Sequence, residues 1–187
     1  MTQLFQYFNK INPLTKEAEI ALNEISNELK IKKNTILQPI GHTCKTIYFI
    51  NKGLARIYYF KEDIDITEFF AFENSIVVRA ESLFTNKPSR KAIQVLENSE
   101  LIAIHATELF KLYDKFPEIE RLFRLIFESA YVETVNRIES IQFYTAEERY
   151  NSLLKQSSDV IKRVPLKHIA SYLGITPVSL SRIRGIK

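Results

Sequence analysis

The chain is poor in the residues that build metal and redox centres. It holds one cysteine, Cys44, and a single thiol excludes an intramolecular disulfide, a multi-cysteine zinc site and a cysteine-ligated iron–sulfur cluster, each of which needs several thiolates. Cys44 is therefore read as an ordinary strand or loop residue. The three histidines, His42, His105 and His168, form no HxH pair, and neither His42 nor His105 has a second ligand at chelating spacing, so haem or metal sensing finds no support. With only four glycines there is no glycine loop to cradle a phosphate, and no HExxH stretch or Ser–His–Asp arrangement is present. No cofactor is expected, and no enzymatic activity. No segment reaches the roughly 18 consecutive apolar residues of a membrane span. The amino terminus, MTQLFQYFNK, has no basic run followed by a long apolar stretch, so a cytoplasmic protein with no membrane partner is expected.

Against these absences, 187 residues with 45% hydrophobic and 26% charged content suffice for one large domain with a real core and a small second one. The net charge of +4 is unevenly spread. Residues 145–187 carry eight basic groups against three acidic ones, a net +5, whereas the other 144 residues carry 18 against 19, a net −1. That asymmetry suits a carboxyl-terminal quarter that meets a polyanion, although a solvated basic tail would look the same.

Along the chain the hydrophobic period changes twice. Thr15 is a helix cap, Glu17 and Glu19 suit a first turn, and Ile20, Leu22, Ile25 and Leu29 supply a helical apolar face. From Thr35 to His105 the pattern becomes short runs rich in Ile, Val, Tyr and Phe: ILQPI, TIYFI, LARIYYF, IDITEFFAF, AIQVL and LIAIH. Their separators are turn formers: Pro39 with Gly41, Asn51-Lys52-Gly53, Lys61-Glu62-Asp63 and Glu97-Asn98-Ser99. Strands at such spacing without intervening helices predict an antiparallel sandwich or roll. Glu108 to Tyr113 then reads as a short helix. Pro117 opens a long one through about residue 143, with Ile119, Leu122, Phe123, Ile126, Ala130, Val135, Ile138 and Ile141 at helical spacing. Leu125, Phe127, Tyr131 and Val132 lie off that stripe, so the helix needs apolar cover on two sides. The roll and a second copy of the chain would supply it, and a homodimer is expected.

Thr145-Ala146-Glu147-Glu148 has the form of a capping box and starts a further helix carrying Tyr150, Leu153 and Leu154. After Val164-Pro165 comes the most informative stretch, LKHIASYLGITPVSLSRIR. Ile169, Ala170 and Leu173 form the buried stripe of a short helix, Gly174 ends it, and Ile175 plugs the turn. Thr176 caps the next helix with Pro177 at its first position. There Leu180 and Ile183 face the first helix, while Val178, Ser179 and Arg182 share a free face. Arginine can fork to guanine, serine can bond bases or phosphates, and valine can meet a thymine methyl. Ser181, Arg184 and Lys187 lie nearer the flank, where they would contact phosphate, and Lys167 and His168 lie close enough to do so.

The order β-roll, long helix, helix-turn-helix, with IASYLGITPVSLSRIR at the end and KGLARIYYF, FFAFENS and LFTNKPSRKAIQVLENSEL in the roll, resembles the CRP/FNR superfamily of transcriptional regulators. The resemblance implies a cyclic-nucleotide-binding-type roll and a winged helix-turn-helix. By that likeness residues 169–173 lie in the positioning helix and 176–184 in the recognition helix, with Arg182 at the place of a base-contacting arginine. Val178 stands where many relatives carry glutamate. Members that bind cyclic AMP use a glycine-glutamate pair and a later arginine followed by serine or threonine. Here Val78 and Arg79 align with the first pair and Arg90 and Lys91 with the second, so only Arg90 matches. Cyclic AMP is accordingly not the expected effector. A different small anion would suit these cations, and so would no ligand at all.

The expected fold class is α+β: an antiparallel β-roll (a double-stranded β-helix or jelly roll) with flanking helices, a long dimerisation helix and a small winged helix-turn-helix domain. The regions are a sensor roll over 1–116, a dimerisation helix over 117–143 and a DNA-binding domain over 144–187. The expected partners are a near-palindromic double-stranded DNA operator, a second copy of the chain through 117–143, and RNA polymerase. The recognition helix is followed by few residues, so the strand that usually closes such a domain is not recognisable. Two other classes share some of these features: a cupin-like binding protein or enzyme, and a signalling module that uses the helical hairpin for protein contacts.

Overall fold

The computed structural model describes residues 1–185. Two helices open the chain, α1 (Thr2–Ile11) and α2 (Lys16–Glu24). The Thr15 side chain caps α2 by accepting the Ala18 N–H, and the helix buries Ala18 and Leu22. Two parts of the sequence reading need correction here. Ile20 is exposed, and Leu29 is not on a helix. It belongs to β1 (Ser26–Ile31), where it pairs with Leu101.

The remaining strands are β2 (Ile36–Gln38), β3 (Thr46–Lys52), β4 (Ala55–Lys61), β5 (Ile64–Ala71), β6 (Ser75–Val77), β7 (Ala92–Val95) and β8 (Ser99–His105). They form two four-stranded sheets, ordered β1-β8-β3-β6 and β2-β7-β4-β5, in which the paired strands run antiparallel. Because side chains alternate across a strand, each sheet has two faces to fill. Ile50, Ala55, Ile57, Ala71, Val77, Ile93, Val95 and Leu101 meet inside the roll. On the outer face of the first sheet, Ile47, Phe49, Ile102 and Ile104 pack against helices, joined by Leu4, Phe8, Leu109 and Phe123. On the outer face of the second sheet, Leu54, Phe70 and Leu96 pack against the carboxyl-terminal helices. Both sheets are thus covered twice, which is why the strand runs read as nearly continuous apolar stretches rather than strict alternations.

Gly53, between β3 and β4, has φ of +110°, and a Cβ there would lie 2.2 Å from the Ser99 hydroxyl oxygen. Only glycine fits that turn. The β4–β5 hairpin turns through Glu62 and Asp63, both at positive φ, as a two-residue turn with matching twist requires.

Helix α3 (Ala80–Thr85) lies between β6 and β7, and α4 (Ala106–Tyr113) and α5 (Pro117–Phe143) follow β8. The first half of α5 buries Ile119, Leu122, Phe123 and Ile126. Its second half is largely exposed, with Tyr131, Val132, Ile138, Ile141 and Phe143 each more than half exposed. The Thr145–Glu148 capping box is formed in both directions and starts α6 (Ala146–Gln156). Then follow α7 (Val160–Arg163), α8 (Leu166–Leu173) and α9 (Pro177–Gly185). Helix α9 ends at Gly185, the last described residue, so the winged part of the expectation falls outside the described residues. No described helix is long and apolar enough to cross a membrane.

Candidate functional site

Helices α8 and α9 form a tight hairpin whose turn is built from local chemistry. Gly174 at φ +69° ends α8. The Ile175 N–H reaches back to the Ala170 carbonyl at 3.0 Å and the Gly174 N–H to Ser171 at 3.1 Å, the paired bonds of a Schellman ending. Two arginines from outside the hairpin satisfy the carbonyls left over at the end of α8. Arg149 donates to the Leu173 oxygen at 2.8 Å. Arg137 of α5 donates to the Tyr172 oxygen and stacks on the Tyr172 ring at 3.9 Å. Burial lowers the Arg137 pKa from its ordinary value.

The second helix is then presented by its back. Leu180 is fully buried and Ile183 packs into the same cluster with Tyr150, Leu153, Ile169 and Leu173. Thr176 caps α9 by accepting the Ser179 N–H at 3.1 Å. On the opposite side Pro177, Val178, Ser181, Arg182 and Arg184 are exposed and Ser179 is half-buried. The Ser181 hydroxyl donates back to the Pro177 carbonyl at 3.0 Å, so it must turn from that bond to donate to a phosphate oxygen. Neither Arg182 nor Arg184 has an acidic partner among the described residues. Lys167 is exposed in the first turn of α8. Lys187 lies outside the described residues.

His168 departs from the sequence reading. It is 6% exposed and turned inward, where Nδ1 accepts from Arg56 of β4 at 2.8 Å, so its ring is not offered to a phosphate in this arrangement. Arg56 also forks to Asp65 through both terminal nitrogens and donates to Thr67 at 3.1 Å. The Thr67 N–H in turn donates to the Ser171 hydroxyl at 3.1 Å. A second tie joins α7 to the roll: Arg163 pairs with Glu73 and with Glu97, each at 2.6 Å. Burial alone would raise the Glu73 pKa, but the bonds from Arg163 together with those from the Glu73 and Gly53 backbone N–H groups outweigh it and hold the group below its ordinary value. The helical domain is therefore seated on the outer face of β4 and β5 by named polar contacts around an apolar centre of Phe70, Leu96 and Tyr172. Sequence reasoning missed Arg56, Asp65, Glu73, Glu97 and Arg163 as a set, since they come together only in three dimensions.

Of the four roll residues singled out from the sequence, Arg79 and Lys91 are brought together at Glu68. Arg79 is buried, Val78 and Lys91 are half-buried, and Arg90 is exposed with no ion pair among the described residues. Arg79 donates to the Ser89 hydroxyl at 3.3 Å and lies 3.5 Å from a Glu68 carboxylate oxygen. Lys91 donates to the other oxygen of Glu68 and sits over the Tyr59 ring at 5.5 Å. The cations thus already have a carboxylate between them. Elsewhere, His42 and His105 are exposed and Cys44 is buried. Among the described residues no group of three His, Cys, Asp or Glu side chains is placed to hold a metal ion.

No protein-family model matches the chain, and no curated protein sequence does. Solved structures do. A transcriptional regulator described as of the Crp/Fnr family, from Eubacterium rectale, superposes with a TM-score of 0.73 at 16% identity, over 96% of this chain and 85% of that one. FixK2 from Bradyrhizobium japonicum gives 0.73 at 16% identity, over 86% and 83%. The fold is that of the CRP/FNR regulators. A third match, the c-di-GMP responsive global regulator CLP of Xanthomonas campestris, gives 0.69 at 14% identity, over 91% and 90%. The match extends through both the roll and the helices, so the CRP/FNR arrangement covers the elements that carry α8 and α9 as well as the β-roll.

Proposed function

We propose that the protein is a sequence-specific DNA-binding regulator of transcription that acts as a homodimer. The observation that carries this reading is the presentation of α9: its apolar side is buried through Leu180, while Val178, Arg182 and Arg184 stand free on the outer side. A cationic helix with a rigid back and a small-residue face fits the major groove, where Arg182 reads bases and Ser181, Arg184 and Lys167 hold the backbone. Two chains pair along the second half of α5, where Tyr131, Val132, Ile138 and Ile141 lack cover within the chain. A hollow lined by Arg124, Phe127, Glu128, Tyr131 and Val132 opens beside them. Pairing there sets two recognition helices on successive major grooves about 34 Å apart, on a near-palindromic operator. RNA polymerase is the further partner that such a regulator requires.

The test is titration of a labelled random-sequence duplex with the purified protein at several salt concentrations. A reading based on phosphate contacts requires binding at low ionic strength that falls steeply as salt rises. No binding at low salt would end it.

A further inference from the structure

One carboxylate in the roll is placed by an irregularity of its strand. In the β4–β5 ladder Ile57 faces Phe69 and Tyr58 faces Thr67, so Glu68 is an extra residue with no partner on β4. A bulge of this kind re-aims the side chain it carries. Here the side chain runs to Lys91 before β7 and to Arg79 before α3. Arg79 is 8% exposed, and a guanidinium at that depth requires a counter-charge. Glu68 and the more distant Glu81, at 3.9 Å, are the acidic groups the structure gives it. The Ser89 hydroxyl accepts from Arg79 and donates to the Lys91 carbonyl at 2.7 Å, which closes the cluster.

The geometry points to Glu68 as a tethered anion that occupies this cationic cradle in place of a small anionic effector. A carboxylate held on the same chain competes at a high effective concentration, so a free anion gains nothing there unless Glu68 is displaced. The same strand carries Thr67, whose N–H holds Ser171 of α8, and Asp65, which holds Arg56. The bulge residue is thus next in sequence to a contact that seats the helical domain. Glu68 sets β5 in the position that docks α8, and the DNA-binding arrangement forms without an added small molecule. That last consequence rests on the regulator reading above, whereas the occupancy of the cradle does not.

The experiment is thermal unfolding of the wild type and of Glu68→Gln with inorganic phosphate or cyclic AMP, each compared with chloride at equal ionic strength. The wild type is expected to show no shift beyond chloride. Glu68→Gln should melt lower and regain about 2–4 °C with phosphate, and the double variant Glu68→Gln, Lys91→Met should lose that gain. A saturable shift in the wild type, or a Glu68→Gln protein indifferent to phosphate, overturns the proposal. If Glu68→Gln does not fold, calorimetric titration of the wild type with cyclic AMP and with pyrophosphate decides: no saturable heat is expected, and saturable heat that Lys91→Met abolishes overturns it. No arm contains DNA, so failure here and failure of the duplex reading remain separate results.

Discussion

Arg56 on β4 and His168 on α8 meet at 2.8 Å across 112 positions of sequence. Arginine has no acceptor, so the imidazole must offer a lone pair at Nδ1 and be neutral. Burial and then the Arg56 charge hold the His168 pKa down at about 4, against the smaller upward pull of Asp65. The contact between roll and helical domain therefore contains a group that resists protonation.

A pH dependence follows from that group. Between its unfolded value near 6.5 and its native value of about 4, the unfolded chain binds a proton that the native chain does not, so stability rises with pH through this window. The contribution is complete above about 6.5 and is lost as pH falls toward 4, on the order of 3 kcal/mol at most. Glu73, Glu148 and Asp159 are also held low and add slopes of the same sign at more acid pH. Urea unfolding of wild type and His168→Gln between pH 7 and 4.5 isolates the histidine. The variant should show a slope shallower by about one proton, and equal slopes would remove His168 from the account.

The second tie is predicted to be a clamp. Arg163→Met leaves Glu73 and Glu97 facing each other without their cation, and should destabilise the protein by about 1–3 kcal/mol. Hydrogen exchange should quicken in α7 and α8 more than in β3 and β8. Uniform quickening across the chain would mean that Arg163 supports the whole fold and not the seating of the helices.

Two glycine substitutions should differ in size. Gly174→Ala meets no atom within 4 Å and bears only the left-handed backbone penalty of about 1–2 kcal/mol. Gly53→Ala adds a Cβ that lies 2.2 Å from the Ser99 hydroxyl oxygen and 2.9 Å from its backbone, and should cost more than about 2 kcal/mol. Denaturant unfolding checks the order, and a reversal would contradict the described turns.

Within α9 two arginines are predicted to separate by role. Arg182→Ala should weaken binding to the preferred duplex by about 1–3 kcal/mol and relax preference among sequences, while Arg184→Ala should weaken preferred and random duplex alike. Anisotropy titrations on both duplexes read the difference. Equal losses for Arg182→Ala would count against base reading.

Much of this structure was legible because local chemistry and global fold agree. The long helix starts at Pro117 and the last hairpin turns at Gly174, each marked by residues whose backbone preferences leave little choice. Leu29 misled for the opposite reason: SNELKI continues a helical apolar spacing, and only pairing with β8 makes it a strand. β6 has three residues and no period of its own. The contacts that seat α8 could not be read at all, since Arg56 on β4 and Glu73 and Glu97 in the turns after β5 and β7 look like ordinary charged positions until Arg163 and His168 arrive from the other end of the chain. The cradle was half legible: Arg79 and Lys91 stood out as cations, but the bulge that aims Glu68 between them leaves no local signature.

Selection of bound duplexes from a random pool tests the central claim most directly. Enrichment of an inverted repeat whose half-sites lie about one helical turn apart is the predicted result, since it reports DNA binding, two-fold pairing through α5 and the spacing of the α9 helices together. A pool that emerges without enrichment, or with single unpaired half-sites, would contradict the account.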